Sequence, residues 1–561
     1  MIAGDVRKYI RISVLFGLLL IPIIYALCAA IDLQYSWIKK IAYLLVVLCL
    51  LIIPALCLKA RAYFIVEGVC NFLFFPIDVA SLYLNGQPTS TFFLHNIFAT
   101  NLSESVELVA SMWPIALVVV LLWILYFYLS ARIENEYLFP RKVVKIILLS
   151  IGGGLVIGMV AMMIITARTY RDRAPKDIMV DGITLAWMKL YKIYPYNLYL
   201  ETIDLAKEHY TQIKLQKQVA SFRFGLKPKH SEDAELYILV IGEAARCDHL
   251  RINGYERNTT PLLSQQPNLI SFDSAFAQAN LTSTSVPLIV TRATASEREK
   301  VYSERTLPEA FKEAGFKTGW ITKQVPFPFI ERAMKECDYA KFYAKGVDVA
   351  ANYDVEMLED LKAFTEDTLQ FFVLHSLGCH FRYELRYPKE FEQFQPVFGE
   401  MLSYSMISKE NKEQLINAYD NAILYTDYFL NQIITYADSL NRPAIVLYIS
   451  DHGESFWDDE RELSLHGSYQ VSKYEYHVPL LVWMSDEYKT KYPLKVANLL
   501  QNKTTPVSSD VVFYSLLDLA NVSTIVDSTR SICSPTLQRV DTFPIITGTG
   551  SVVPYSFTEV K

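Results

Sequence analysis

The chain has 561 residues, a net charge of −6 and 52% hydrophobic residues. That length is long for one domain, and the slightly acidic balance leaves no broad basic surface for nucleic acid. Eight cysteines are scattered singly, and their spacing writes neither a disulfide framework nor a zinc knuckle.

The first third is lipid-like. Apolar runs at 12–31, 41–58, 62–84, 108–130 and 143–166 are each near the roughly 20 residues that a helix needs to cross a bilayer. Five spans are therefore predicted. Arg7, Lys8 and Arg11 precede the first run, Lys59 and Arg61 separate the second from the third, and Arg132, Arg141, Lys142 and Lys145 flank the link between the fourth and fifth. Positive charge marks cytoplasmic loops, so an odd number of spans places everything after residue 166 outside the cytoplasm. The first run is too long, and too closely followed by others, to be a cleaved signal peptide. Glu67 and Asp78 within the third run are costly in lipid and are expected to face protein or water.

Residues 168–232 form a predicted linker. Its stretch 183–200 carries Trp187, Tyr191, Tyr194, Tyr196 and Tyr199 with Lys189 and Lys192, a mix that suits an amphipathic helix at the lipid headgroups or one packed on the next domain. From residue 233 to 561, strand-like runs at 236–241, 370–375, 444–449 and 480–484 alternate with helical stretches such as 411–437. This alternation predicts an α/β domain with a doubly wound, mostly parallel sheet.

Two of those strands end in metal-ligating residues. Run 236–241 leads into Gly242 and Glu243, and run 444–449 leads into Ser450, Asp451, His452, Gly453 and Glu454. Strand ends of an open α/β sheet point into the crevice that binds substrate. Carboxylate and imidazole donors delivered there suit zinc. Between the two strand ends lies Asn280-Leu281-Thr282-Ser283-Thr284-Ser285-Val286-Pro287. Hydroxyl residues followed by proline read as a helix start, where backbone N–H groups favour a phosphate. A hydroxyl held there against a metal becomes a nucleophile, whereas hydroxyls without one are ordinary N-caps.

The run Val240-Ile241-Gly242-Glu243-Ala244-Ala245-Arg246, followed by Asp248-His249 and Asn253-Gly254-Tyr255, resembles the first-strand signature of the membrane phosphoethanolamine transferases, which belong to the alkaline phosphatase and sulfatase superfamily. The resemblance continues through Thr282 with Ser285-Val286-Pro287, through His375 to His380, through Ser450 to Ser455, and through Leu465-His466-Gly467. It implies an architecture of a five-helix transmembrane domain (1–167), an interfacial linker (168–232) and an alkaline-phosphatase-like periplasmic catalytic domain (233–561). It further implies a catalytic Zn2+ held by Glu243, Thr282, Asp451 and His452, with Thr282 as nucleophile. His380 and His466 would lie near the phosphoryl group and could hold a second zinc, while His375 reads as a structural histidine.

The same resemblance gives Asn96, Thr100 and Glu104, spaced four apart, as contacts to the lipid donor's head group. Two departures stand out. Many members bracket the nucleophile with a disulfide, but Gln278 and Leu288 occupy those places here, so packing must brace the loop. After Trp320 the family's Asp-Asn-Asn run and nearby lysine are replaced by Ile321-Thr322-Lys323-Gln324-Val325-Pro326, where Lys323 or Gln324 would substitute as donor contacts.

The implied activity is transfer of phosphoethanolamine from phosphatidylethanolamine to lipid A or the lipopolysaccharide core, by a monomer in a bacterial inner membrane. A phosphoglycerol transferase or phosphodiesterase on the same metal site is the alternative, and a catalytically silent lipid-binding sensor is the alternative of another class. A sulfatase is disfavoured, because the nucleophile region lacks the Cys/Ser-x-Pro-x-Arg pattern.

Overall fold

In the computed structural model, residues 2–29, 51–85, 113–140, 194–229 and 233–556 are described, apart from 325–326, 344–352, 399–407, 469, 523–526 and 549; scattered positions outside these spans are described as well. The chain divides into two compact units, Met1–Ile97 with Met112–Glu208, and Phe98–Ser111 with His209–Lys561.

The first unit is helical. Its described helices include Ile2–Ala29, Ala60–Glu67, Phe75–Asn85 and Trp113–Ala131, and Ala60–Glu67 continues into a π-helical turn, Gly68–Phe72. Among the described residues two helices are long and apolar enough to cross a membrane, Val6–Tyr25 and Ala60–Ser81, and Ala116–Ala131 is a shorter apolar helix. Of the five predicted spans, most of 143–166, part of 41–58 and the start of 108–130 lie outside the described residues. Leu15, Leu19, Tyr63, Phe64, Phe72 and Tyr126 form the interior, while Leu117, Val118, Leu121 and Ile124 are exposed along one helix. A helix apolar on both its packed and its exposed sides fits a lipid surround better than water. Gly68 is required at the π turn, since a Cβ there would collide with the Tyr126 ring. Glu67 and Asp78 are buried against protein, as expected: Asn71 donates to Glu67, and Thr89 N and Asn197 Nδ2 donate to Asp78 Oδ1 at 2.8 and 2.5 Å. The linker stretch 183–193 lies outside the described residues, and a helix Tyr196–Val219 follows it.

The second unit is an α/β sandwich. Its strands are β1 (Leu236–Gly242), β2 (Leu269–Phe276), β3 (Lys317–Thr322), β4 (Tyr339–Phe342), β5 (Gln370–His375), β6 (Ala444–Ser450), β7 (Ser455–Phe456), β8 (Ser464–Leu465), β9 (His477–Met484), β10 (Val507–Ser508), β11 (Thr542–Ile546) and β12 (Val552–Ser556). Eight of them form one sheet in the order β10-β2-β9-β6-β1-β5-β3-β4. Strands β1, β5 and β6 are buried along their whole length, which is why their sequences are unbroken apolar runs and not alternating ones. Alternate side chains of β1 serve opposite faces. Tyr237, Leu239 and Ile241 join one core with Phe311, Phe371 and Leu516, and Leu236, Ile238 and Val240 join the other with Tyr419, Ala422 and Phe429 from the helix Lys412–Ser439. Each such aliphatic side chain contributes about 1.5–3 kcal/mol on burial.

The sheet is mostly parallel, as expected, but mixed by one reversed strand. Five of its seven pairings are parallel, but β9 runs antiparallel to both β2 and β6. The reason lies in the connection: the chain leaves β6 at Ser450 and stays at that end of the sheet through β7, β8 and the four-residue helix Lys473–Tyr476. Without a crossover it can only re-enter in the opposite sense. An apolar run carries no signal of direction. In register, Gly242 lies beside Ser450, and Ile241 and Thr322 both lie beside His375, so the residues that follow β1, β3, β5 and β6 emerge side by side.

Candidate metal centre

Glu243 and Asp451 leave adjacent strand ends fully buried. The turn between them is held hard. Ala244 has φ 54, a left-handed conformation that costs a non-glycine residue energy. It is kept there by Tyr419, whose hydroxyl donates to Ala244 O at 2.7 Å and accepts from Arg246 N at 2.8 Å. Ala244 N in turn donates to Asp451 Oδ1 at 3.1 Å, and His452 N donates to the same oxygen at 2.8 Å. Ser450 Oγ accepts from Ala245 N and donates to His452 O, at 2.8 and 2.9 Å, which fixes the two strand ends to each other.

These restraints leave two buried carboxylate oxygens, Glu243 Oε1 and Asp451 Oδ2, with no hydrogen-bond donor. Both face His452 Nε2, at 3.2 and 3.5 Å. The other ring nitrogen, Nδ1, is 2.8 Å from Gly453 O; a carbonyl only accepts, so Nδ1 carries the proton and the lone pair of the neutral ring sits on Nε2. His466 is arranged alike: Nδ1 lies 3.1 Å from Glu454 Oε1, and its ring is 4.1 Å from that of His452. Glu243, His452 and His466 bring ligand atoms within 4.8 Å of one another. Two orphaned carboxylate oxygens beside two imidazoles are a donor set that fits a borderline divalent cation such as zinc.

The electrostatics agree. Burial pushes the Asp451 carboxyl up to about 7, helped by the neighbouring Glu243 charge. Burial also opposes the charge on Glu243, but the His452 imidazole facing it, in its protonated form, outweighs burial and holds Glu243 below the usual carboxylate range. His452 is raised to about 10, because Asp451 and Glu243 overcome its burial. The pocket demands a positive charge, whether from imidazolium or from a metal.

Thr282 opens the helix Thr282–Ile289, but Leu281 is the N-cap and no side chain caps it. The Thr282 hydroxyl therefore has a different task from N-capping: Oγ1 is 2.9 Å from Glu243 Oε2 and 3.2 Å from His452 Nε2. Ser285 Oγ donates to Asp451 O at 2.5 Å and ties this helix to β6. The positions that lack cysteines are filled by packing, as expected. Gln278 Oε1 accepts from Ala295 N at 2.8 Å, and Leu288 is buried among Ala279, Ala293, Ala295 and Ile546. Cys57, Cys70, Cys247, Cys337, Cys379 and Cys533 are free.

Other sequence-marked residues fall nearby or elsewhere. Gln324 Nε2 donates to Glu243 Oε2 at 2.9 Å. Lys323 is buried, with Nζ 2.6 Å from Glu356 Oε2 and 3.8 Å from the centre of the Tyr343 ring. His380 is on the loop after β5, its Nδ1 3.1 Å from Phe381 O, outside the tight donor cluster. His375 is buried, and desolvation lowers it to about 4, so it is neutral. Asn96, Thr100 and Glu104 lie outside the described residues.

Sequence reading missed Glu475. This buried carboxylate accepts from Asn280 Nδ2 (2.7 Å), Ser468 N (3.1 Å), Ser468 Oγ (2.7 Å) and Ser455 Oγ (3.1 Å). It thus ties together the loops that carry Thr282, His452 and His466. Its local sequence, Lys473-Tyr474-Glu475, looks like an exposed turn and offers no signal.

The sheet with its crossovers, the strand-end carboxylates and the helix-start hydroxyl define an α/β domain with a candidate metal and nucleophile site at its strand ends. Residues 235–522 match the sulfatase family model, and the chain belongs to that family. It is 32% identical over 276 residues to the Kdo(2)-lipid A phosphoethanolamine 7''-transferase of Escherichia coli K12, an alignment covering 47% of each chain. The chain spans about half the length of the first curated relatives it matches. Among solved structures it resembles the zinc complex of the C-terminal periplasmic domain of EptC from Escherichia coli, with TM-score 0.53 and 23% identity over 60% of this chain and 95% of that one. It also resembles the integral membrane lipooligosaccharide phosphoethanolamine transferase A of Neisseria meningitidis, with TM-score 0.65 and 19% identity over 84% and 86%.

Proposed function

We propose that this chain is a zinc-dependent membrane enzyme that transfers phosphoethanolamine from phosphatidylethanolamine to lipid A or the lipopolysaccharide core through a covalent intermediate on Thr282. The observation that carries the reading is the Thr282 hydroxyl, 2.9 Å from Glu243 Oε2 and 3.2 Å from His452 Nε2, beside two buried carboxylate oxygens without donors. Its relatives' names support the substrate class: one acts on Kdo(2)-lipid A and another on lipooligosaccharide.

Glu243, Asp451, His452 and Thr282 would hold the zinc, which when bound lowers the Thr282 hydroxyl pKa and steadies charge on the phosphoryl oxygens. Glu243 Oε2 lies within hydrogen-bond reach of that hydroxyl and would accept its proton. Thr282 Oγ1 attacks the donor phosphorus, the bond to the diacylglycerol oxygen breaks, and His380 or His466 protonates that leaving alkoxide. The acceptor's phosphate or hydroxyl oxygen then displaces Thr282 from the same phosphorus. His466 is oriented for this by Glu454, itself held by the Tyr383 hydroxyl at 3.1 Å.

In this reading residues 1–167 are a five-span anchor in a bacterial inner membrane, 168–232 a linker and 233–561 a periplasmic catalytic domain. Asn96, Thr100 and Glu104 grip the donor head group, so that a lipid with its acyl chains in the bilayer reaches Thr282. The phosphoglycerol alternative shares the same metal chemistry and differs only in the head group.

Intact-protein mass spectrometry after incubation with phosphatidylethanolamine tests the nucleophile. The wild type is expected to gain one phosphoethanolamine and Thr282→Ala none. An adduct mapped to Ser283, Thr284 or Ser285 would overturn the assignment, and a glycerophosphate adduct formed from phosphatidylglycerol alone would favour the alternative.

A further inference from the structure

Gln324 stands where the resemblance led us to expect a contact to the donor head group, yet its side chain is turned inward. It is 8% exposed, two residues past the end of β3. Its Nε2 donates to Glu243 Oε2 at 2.9 Å and to Ser376 O at 3.2 Å. Carboxylate and carbonyl oxygens only accept, so both contacts demand the nitrogen and the orientation of the amide is settled. Neither acceptor is free to drift. Ser376 N and Oγ both donate to Ile241 O, at 3.0 and 3.1 Å, which fastens the loop after β5 to the strand that carries Glu243.

We propose that Gln324 is a positioning residue for the Glu243 carboxylate and not a contact to the donor head group; this rests on the zinc reading above. Glu243 Oε2 is engaged by two donors, Gln324 Nε2 and Thr282 Oγ1, while Oε1 has no donor and is turned toward His452 Nε2. Two donors on one oxygen fix the plane of the carboxylate, so the second oxygen faces the cation position without having to be ordered when the metal binds. The neutrality of the amide matters. An ammonium at this place would orient Glu243 equally well but would cancel the charge that attracts a metal. The neighbouring cation, Lys323, is instead paired with Glu356. Partners that orient a ligating side chain in this way typically change metal affinity by about 10- to 100-fold when removed.

The test uses the full chain purified in detergent. Zinc affinity is measured by competition with a chromogenic chelator, and transfer is measured from ethanolamine and glycerol phosphodiesters of the same chain length. Gln324→Ala is expected to weaken zinc binding about 10- to 100-fold, with excess zinc restoring turnover and the ratio between the two head groups unchanged. Gln324→Glu keeps the size but replaces the donor with a like charge that must share its space with Glu243. It is expected to weaken zinc binding again, and thermal unfolding of the metal-free Gln324→Ala protein near that of the wild type separates a local change from misfolding. Wild-type zinc affinity in both variants overturns the proposal, as does a selective loss of the ethanolamine substrate. A wild type that takes up no zinc overturns the metal reading itself, and this proposal with it.

Discussion

Strand β1 is flanked by two buried glutamates, and the two are opposites. Glu235, at its amino end, is electrically complete. Lys229 and the Tyr237 hydroxyl reach Oε2, while Lys491 and the Tyr492 hydroxyl, each at 2.9 Å, reach Oε1. Glu243, at the carboxyl end, has donors on one oxygen only, and across from it Asp451 also keeps an oxygen without a donor. The same strand therefore shows what the fold does with a buried carboxylate it means to silence and with one it keeps for use. A structural carboxylate is saturated by permanent cations; a ligating one is held rigidly but left short of positive charge.

If that contrast is right, the largest effect belongs to the unsaturated end. Asp451→Ala and Glu243→Ala are expected to strip bound zinc and lower turnover by at least about 10³-fold, since each removes both a ligand and part of the charge that stabilises the reaction. Metal analysis of the purified variants, together with lipid mass spectrometry of cells expressing them, reads both consequences. A fully active, metal-free Asp451→Ala protein would sink the site.

The saturated end should respond in stability and not in chemistry. Glu235→Ala leaves Lys229 buried without its counter-charge, a loss that typically costs about 3–5 kcal/mol. Glu243→Gln keeps the size and an acceptor oxygen for Gln324 and Thr282, and is expected to cost less than that in the metal-free protein while abolishing zinc uptake. Urea unfolding of the two variants decides this, and equal destabilisation at both ends would erase the distinction.

Zinc itself offers a third probe. Free metal at about 100 times its dissociation constant stabilises by about 2.7 kcal/mol, provided the unfolded chain does not bind it. The wild type should show that gain and lose it to a chelator. A Glu235 variant should show the same increment from a lower baseline, and a Glu243 variant none.

Much of this was legible beforehand, for reasons particular to each element. Strands β1, β5 and β6 are unbroken apolar runs because both faces are covered, and such runs announce themselves; Glu243, Asp451 and His452 stood out as candidate ligands because they follow those runs directly. The direction of β9 was not legible, because it is set by where the connection from Ser450 travels, a property no local window contains. Glu475 escaped for a related reason. Its partners Asn280, Ser455 and Ser468 come from three separate segments, and only folding brings them to one carboxylate. The inward turn of Gln324 was likewise hidden: the sequence offered a polar residue beside a strand end and could not say which way it faced.

The smallest effect expected is also the one that best tests whether Glu235 works through charge. Burial opposes ionisation of this carboxyl, but the hydrogen bonds and charge of Lys229, with the Tyr237 hydroxyl, outweigh it and hold Glu235 below its ordinary value. A group depressed in the folded state binds fewer protons there than in the unfolded chain, so it adds stability at neutral pH, fully present above the unfolded value of about 4.5. As pH falls below that value and through the folded one, this contribution is lost. Glu235→Gln has nearly the same shape and retains one acceptor oxygen for the lysines, so at pH 7 it should cost only about 1.5–3 kcal/mol, the range for hydrogen bonds to a charged group. The gap between wild type and variant, followed by urea unfolding at steps from pH 7 downward, should stay level to about pH 5 and then close. A gap that persists unchanged at pH 3 would mean that packing, not charge, is what Glu235 contributes, and the two ends of β1 would then differ less than their hydrogen bonds suggest.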